Sequence, residues 1–413
     1  MPVPISSGNT RTIMSVTIAI VGCLDTKGEE MGFLREVIEN TGNQAWIIDT
    51  GVLEPPAFEP DTTREAVAEA GGASLAELLE KKDRGFAMTI MSAGAAAITS
   101  GLFARSEIDG VIAAGGSANT TIGASAMQAL PIGFPKMLVS TLACGDVSAW
   151  VGTRDITLMY SVVDIAGINR ISAVILRNAA NAVVAMAAGK KEEAENNRPL
   201  VAASMFGVTT PCVTEARRVL EEHGFEVIVF HATGAGGRTM ETLIADGYFA
   251  GVLDLTTTEL ADERIGGILS AGPQRLTAAG LNGTPQVVST GATDMVNFGG
   301  TTPAEFDGRL FYKHNPAVTL MRTTADECRE LGREIAEKVS AAKGPAAIML
   351  PLSGVSAIDR EGEAFDDPAA REALFEAIRQ HPGGAEVSEL PCHINDPEFA
   401  EACARRLIDL IRQ

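Results

Sequence analysis

The chain is short of positive charge: 33 Lys and Arg stand against 53 Asp and Glu, a formal net charge of −20 over 413 residues. That balance excludes broad, sequence-independent binding to nucleic acid and docking on an anionic membrane surface. Aromatic residues make up only 5% of the chain, which leaves few platforms for stacking the bases of a single strand. The six cysteines, Cys23, Cys144, Cys212, Cys328, Cys392 and Cys403, are scattered with no CxxC spacing. Neither a zinc ribbon nor a thioredoxin-like pair is therefore encoded, and a reducing cytoplasm is the expected location. The five histidines show no HExxH pattern, which argues against a histidine metal site. There is no GxSxG elbow, and no run of about twenty apolar residues that would predict a membrane span. Residues 1–14 have no apolar core of the kind a signal peptide carries and are expected to form a mobile tail.

What is present is a foldable chain, 46% hydrophobic and 21% charged, long enough for two domains. Ser15–Gly22 is a β-branched apolar run. A helical stretch, about Lys27–Asn40, and a second apolar run, Gln44–Asp49, follow it. This is a β-α-β unit by period and punctuation, so the sheet is expected to be parallel. One helix is expected over Asp61–Asp83 and another over Gly85–Phe103. Pro135–Ser140 and Ile156–Val163 read as strands, and Asn169–Ala188 as a long alanine-rich helix. The polar stretch Gly189–Asn197 marks the best boundary. The expected organisation is a tail over 1–14, an N-terminal Rossmann-like nucleotide-binding lobe over 15–195 and a C-terminal Rossmann-like lobe over 196–413.

The second half repeats the pattern of the first. Pro199–Phe206, Phe225–Phe230 and Gly251–Leu255 read as strands with helices between them. An internal duplication is expected, with Gly22 matching Gly207, Thr50 matching Thr233, Gly110 matching Gly251 and Ser140 matching Ser289. The fold class is thus α/β, two lobes each with a largely parallel sheet flanked by helices.

In an open parallel sheet, ligands sit in the crevice outside the strand C-termini. Four loops of the first half converge there: Asp25-Thr26-Lys27-Gly28, Asp49-Thr50-Gly51, Gly115–Thr120 and Ser140–Asp146. The third follows the apolar strand in Ile108–Thr121 and leads into a small-residue helix. Glycines let backbone N–H groups approach an anion, and the helix start adds unpaired donors and partial positive charge. The loop is neither a Walker A nor a GxGxxG motif. Gly115, Gly116, Ser117 and Thr120 are expected to cradle phosphate, with Thr141 and Gly145 alongside and Lys27 neutralising it. Asp49, Thr50 and Gly51 stand where a ribose is held, next to Thr26. Asp25 and Asp146 are the expected ligands of any Mg²⁺. In the second half, Thr233, Gly234, Gly236, Gly237 and Arg238 open a helix and form a second anion site, Arg238 being suited to a carboxylate or phosphate. Cys23, Cys144 and His231 lie at strand ends, where packed, unreactive roles are the expectation.

Seven stretches together carry a resemblance: DTKGEE at Asp25–Glu30, DTG at Asp49–Gly51, AGGSANTT at Ala114–Thr121, STLACGD at Ser140–Asp146, FHATGAGGRTME at Phe230–Glu241, STGATDMVNFGG at Ser289–Gly300 and HINDPEFA at His393–Ala400. The chain resembles, from Val16 nearly to its end, the family of the tomato mosaic virus resistance protein's ATP-binding region. The resemblance implies two Rossmann-like subdomains, ATP in the N-terminal one and a homodimer, but no reaction. GGSANT here replaces the glycine-richer GGSGGT form, and Cys144 a common serine. The expected function is ATP or nucleotide binding. The alternative is a metabolic enzyme acting on a small phosphorylated or carboxylated metabolite in an interdomain cleft. A two-lobed sugar- or carboxylate-binding receptor is disfavoured by the lack of a signal peptide.

Overall fold

A computed structural model describes residues 15–189, 197–381, 383 and 385–413. The expected tail over 1–14 and most of the expected joint, 190–196, lie outside the described residues. The chain separates into two compact units, residues 1–193 and 194–413.

The first unit runs β1 (Thr17–Gly22), α1 (Leu24–Glu39), β2 (Gln44–Asp49), α2 (Arg64–Ala70), α3 (Leu75–Lys81), α4 (Arg84–Ala104), β3 (Gly110–Gly115), α5 (Ser117–Gln128), β4 (Lys136–Ser140), α6 (Ser148–Val151), β5 (Thr157–Tyr160) and α7 (Arg170–Ala188). Its five strands are all parallel, in the order β2-β1-β3-β4-β5. Alternation decides the two faces. Ile18, Ile20, Ile112 and Val139 pack with α1 and α7, while Ala19, Val21, Val111, Ala113 and Leu138 pack with α2, α4 and α5. The helix expected over Asp61–Asp83 is two helices. Gly71 and Gly72 break it, and Ser74 restarts it by accepting the Glu77 N–H. At the other end of the unit, Asn169 and Ser172 form a reciprocal capping box on α7, which satisfies two of the helix's orphan donors.

Helices α4 and α7 are, by length and composition alone, apolar enough to cross a membrane, which the reading of apolar runs did not anticipate. In this fold α4 packs on α2 and α5, and α7 on α1 and β3.

The second unit runs β6 (Leu200–Met205), α8 (Thr210–Glu222), β7 (Glu226–His231), α9 (Ala235–Ala245), β8 (Gly251–Thr256), α10 (Thr258–Ile265), α11 (Ala278–Asn282), β9 (Gln286–Gly291), β10 (Met295–Phe298), β11 (Phe311–Asn315), β12 (Val318–Arg322), α12 (Ala325–Ser340), β13 (Ala346–Pro351), α13 (Pro368–Arg379), β14 (Glu386–Leu390) and α14 (Pro397–Arg412). Its parallel sheet has the order β7-β6-β8-β9-β13-β14. The first five positions repeat the 2-1-3-4-5 order of the first unit, as a duplication requires. The ladders adjust the expected matches. Gly110 does match Gly251, since they face Ile18 and Val201 respectively. The partner of Gly22 is then Met205 rather than Gly207, because Gly22 faces Asp49 and Met205 faces His231. By the same ladders Thr50 matches Ala232, one residue before Thr233. Ser140 matches Gly291, two after Ser289, since Gly115 faces Ser140 and Thr256 faces Gly291 beyond a register shift in the β8–β9 ladder. A small antiparallel sheet, β10-β12-β11, is an addition of the second unit.

Candidate functional site

In the first unit the strand order reverses between β1 and β3, and a cleft of about 690 Å³ opens there. It is lined by the loops after β1 and β2 (Cys23, Asp25, Thr26, Thr50, Val52, Leu53) and by Ala118 and Ile122 of α5. The α3–α4 corner supplies Leu78, Leu79, Lys82, Arg84, Met88 and Met91. The lining is mostly apolar; the corner contributes two cations and the acid Asp83, whose carboxylate accepts the Gly85 and Phe86 N–H groups at the start of α4, and Asp25 lies in the same lining.

Helix α5 begins directly behind strand β3. Gly116 holds its N-cap position, and no side chain caps it. Its first-turn donors therefore remain available. A Cβ built on Gly116 would come no closer than 3.9 Å to Thr141 Oγ1, so the approach to these N–H groups is open. Ser117 is exposed and Ala118 half-buried, whereas Asn119 and Thr120 are buried. Thr120 Oγ1 bonds Ser140 Oγ at 2.7 Å and ties α5 to the end of β4. The amide of Asn119 is fixed by its bond to the Ala114 carbonyl at 3.1 Å and accepts the Cys23 thiol at 2.8 Å. Burial pushes that thiol up to about 12, so it stays protonated as a donor.

Several residues of the expected site serve the backbone instead. Asp49 is fully buried; its Oδ1 accepts the Leu24 and Gly51 N–H groups at 3.0 and 2.8 Å, so it caps α1 and closes its own turn. Burial raises its pKa. Asp25 Oδ2 accepts the Val52 and Leu53 N–H groups at 3.0 and 2.8 Å and orders the loop after β2. Lys27 Nζ donates to the Ile165 carbonyl at 2.6 Å, with Glu30 at 3.9 Å, and so fastens α1 to the chain before α7. Asp146 is exposed and accepts the Ser148 N–H at 2.9 Å, with Gly145 exposed beside it. Among the described residues no three His, Cys, Asp or Glu side chains are grouped to hold a metal. Of the two expected magnesium ligands, Asp25 lines the cleft and Asp146 does not. The cleft thus brings together Asp25, Thr26, Thr50 and the start of α5. It adds Lys82 and Arg84, which the sequence reading passed over because they fall in a break between helices rather than after a strand.

In the second unit the glycine loop closes on a carboxylate of the protein itself. Glu259, fully buried in the first turn of α10, accepts the Gly234 and Gly237 N–H groups through Oε1 at 2.6 and 3.1 Å. A Cβ at Gly237 would lie 2.1 Å from Glu259 Oε2, so only glycine lets the carboxylate in. Arg275, also fully buried, donates Nε to Glu259 Oε2 at 2.7 Å. It grips Asp254 with both terminal nitrogens at 2.5 and 2.7 Å and reaches Glu241 at 3.2 Å. Arg238 donates to the Ser270 carbonyl at 2.8 Å, and Thr233 to the His231 carbonyl at 3.3 Å. A Cβ at Gly236 would meet the His231 carbonyl at 1.9 Å, so that residue allows a close backbone approach. The signal for this cluster was Asp254, an acid inside an otherwise apolar strand.

His393 is also structural: Nε2 bonds the Ser356 carbonyl at 2.8 Å while Nδ1 accepts the Asn395 N–H at 3.1 Å. That pattern assigns the neutral Nε2–H tautomer, in keeping with the downward shift that burial gives it.

These features define a two-unit α/β protein with one open, glycine-led helix start and one that is internally filled. Residues 16–192 match the N-terminal domain, and residues 198–411 the C-terminal domain, of the Uncharacterised protein family (UPF0261). The chain belongs to that family. It is 50% identical to a UPF0261 protein of Clostridium tetani, over 97% of this chain and 100% of the other. It is 42% identical to the ToMV resistance protein Tm-1(GCR237) of Solanum lycopersicum over 79% of this chain and 45% of that protein. Identity to the ToMV susceptible protein tm-1(GCR26) is 36%, over 96% of this chain and 56% of the tomato protein. The tomato relation expected from the motifs therefore holds, and this chain spans about half of those longer proteins. Among solved structures, a UDP-N-acetylglucosamine 2-epimerase from Rickettsia bellii aligns over 96% of both chains at 8% identity, with a TM-score of 0.24. That likeness is too distant to carry an argument.

Proposed function

We propose that the first unit binds a nucleotide, ATP being the form the family resemblance implies. Its phosphates lie at the first N–H groups of α5, beside Gly116, Ser117 and Ala118, and its base lies in the apolar part of the cleft against Leu78, Leu79, Met88 and Met91. The observation that carries this reading is the uncapped start of α5 opening on that cleft. A helix start of this kind favours an anion through its free donors and its dipole. Lys82 and Arg84 supply the neutralising charge, the role first expected of Lys27. The homodimer that the resemblance implies would cover Ile171, Val174 and Met186, which are exposed on α7; sedimentation equilibrium tests it.

Calorimetric titration of ATP tests the nucleotide reading. The parent chain binds saturably. The double variant Lys82→Ala/Arg84→Ala binds about 10- to 100-fold more weakly, as the loss of one or two charge-assisted contacts requires, whereas Lys27→Ala keeps the parent's affinity. A parent that takes up no ATP, or a double variant that binds as the parent does, contradicts the reading.

A further inference from the structure

The first three strands of the two sheets align residue by residue, and the alignment shows what fills one unit and leaves the other open. With Gly110 matched to Gly251, eight residues on in each unit puts Glu259 in the place of Ala118. Both stand at the second position of the helix that follows the third strand. With Asp49 matched to His231, three residues on puts Gly234 in the place of Val52. In the first unit Ala118 and Val52 both line the open cleft. In the second unit the same two positions are joined, because the Glu259 side chain spans from α10 to the Gly234 N–H at 2.6 Å.

The N–H at this loop position is satisfied by a carboxylate in both units, but from different elements. Val52 gives its N–H to Asp25, which comes from α1 at 3.0 Å. Gly234 gives its N–H to Glu259, which comes from α10. Because Asp25 does this from α1, nothing needs to cross from Ala118, and the cleft between α5 and the loop stays open.

We infer that Glu259 is a built-in occupant: its carboxylate fills, in the second unit, the counterpart of the cleft that the first unit keeps open for an anionic ligand. The second unit therefore contains a latent carboxylate site whose donors are the N–H groups of Gly234 and Gly237 and the Nε of Arg275. Ala118 is the residue that keeps the first site open. The latent site stands on the Glu259 geometry alone; the role of Ala118 rests on the nucleotide reading above.

The experiment removes the occupant and offers it back as a free anion. Glu259→Ala leaves two glycine N–H groups and one arginine donor without their acceptor. Formate is small enough to enter the space vacated by the side chain. Thermal melting of the parent and of Glu259→Ala is compared in sodium formate and in sodium chloride at equal ionic strength. The variant is expected to melt well below the parent in chloride and to recover several degrees, saturably, in formate, while the parent responds to neither salt. A variant that refolds from urea only in formate gives the same result in stronger form. A variant that formate and chloride affect alike, or that folds in neither, overturns the built-in occupant, whatever the parent does with ATP. In a separate arm, Ala118→Glu places an acid in the first turn of α5, where the dipole favours it, and fills the open cleft. It keeps the parent's melting temperature and loses ATP affinity on the order of 100-fold. Retention of the parent's affinity overturns the part given to Ala118. A parent that ignores ATP overturns the nucleotide reading and with it that part alone.

Discussion

Asp262 sets a pH dependence that a single substitution should remove. Its carboxylate sits in the second unit on α10, where Oδ1 accepts the Asn297 N–H at 2.9 Å and Oδ2 accepts the Asn297 side-chain amide at 2.7 Å. Burial outweighs these bonds and raises its pKa from 3.8 to about 7. A folded-state pKa above the unfolded one, for an acid, means the native state holds its proton more tightly. Stability from this group is therefore full below about pH 4, falls as pH rises toward 7, and is flat above. At about 1.36 kcal/mol per pKa unit, the loss amounts to about 4 kcal/mol. Asp262→Asn removes the charge. The new amide can still accept the Asn297 N–H, and its NH₂ can donate to Asn297 Oδ1, which has no partner in the parent, once the Asn297 amide turns over. The variant is expected to exceed the parent by only about 1 kcal/mol near pH 4.5 and by up to about 4 kcal/mol at pH 8. Urea titrations followed by circular dichroism measure this. Fluorescence of the two tryptophans, Trp46 and Trp150, reports the first unit as an internal reference. Asp294, raised to about 7 by burial and then by the charge of Asp359, adds a slope of the same sign that remains in the variant. A variant less stable than the parent at pH 8, or one with the parent's full pH slope, refutes the reasoning.

Other outcomes follow from particular contacts. Lys136 is fully buried, and its ammonium donates to the Pro131 and Phe134 carbonyls at 2.6 and 3.0 Å and to Asp155 at 2.7 Å. Lys136→Met removes those three charge-assisted bonds and should destabilise the first unit by about 1–3 kcal/mol, read by tryptophan fluorescence in urea; an unchanged midpoint counts against it. Iodoacetamide at pH 8 should modify the exposed Cys144 quickly and spare Cys23, whose thiol is held protonated and bonded to Asn119. Equal rates at the two, by peptide mass mapping, would show that Cys23 is not held this way.

The parallel sheets were legible because their signals are local: β2 falls on the residues expected of it, and β1, β4, β6 and β8 within one or two. The break in the helix over Asp61–Asp83 was written in Gly71-Gly72 and passed over for the surrounding apolar period. The antiparallel β10-β12-β11 sheet was missed because Phe311–Asn315 is largely exposed and lacks an apolar alternation. The site was legible in part. Glycines after a strand marked the start of α5, but hydrogen-bond commitments made at long range are invisible in a sequence. Lys27 is spent on Ile165, 138 residues away, and the glycine loop at Gly234 is spent on Glu259, 25 residues on. Both looked like an anion site, and only three-dimensional partners distinguish a free donor from a used one.

The proposed nucleotide site lies in the first unit at the start of α5. Photo-crosslinking with azido-ATP, followed by peptide mapping and competition with unlabelled ATP, locates it directly. Saturable labelling is expected only in the α3–α4 corner around Leu78–Met91 and at the start of α5, and it should vanish in Gly116→Val, whose branched side chain blocks the backbone approach without disturbing the fold. Label in the second unit around Gly234–Glu259, or label that Gly116→Val leaves unchanged, would contradict it.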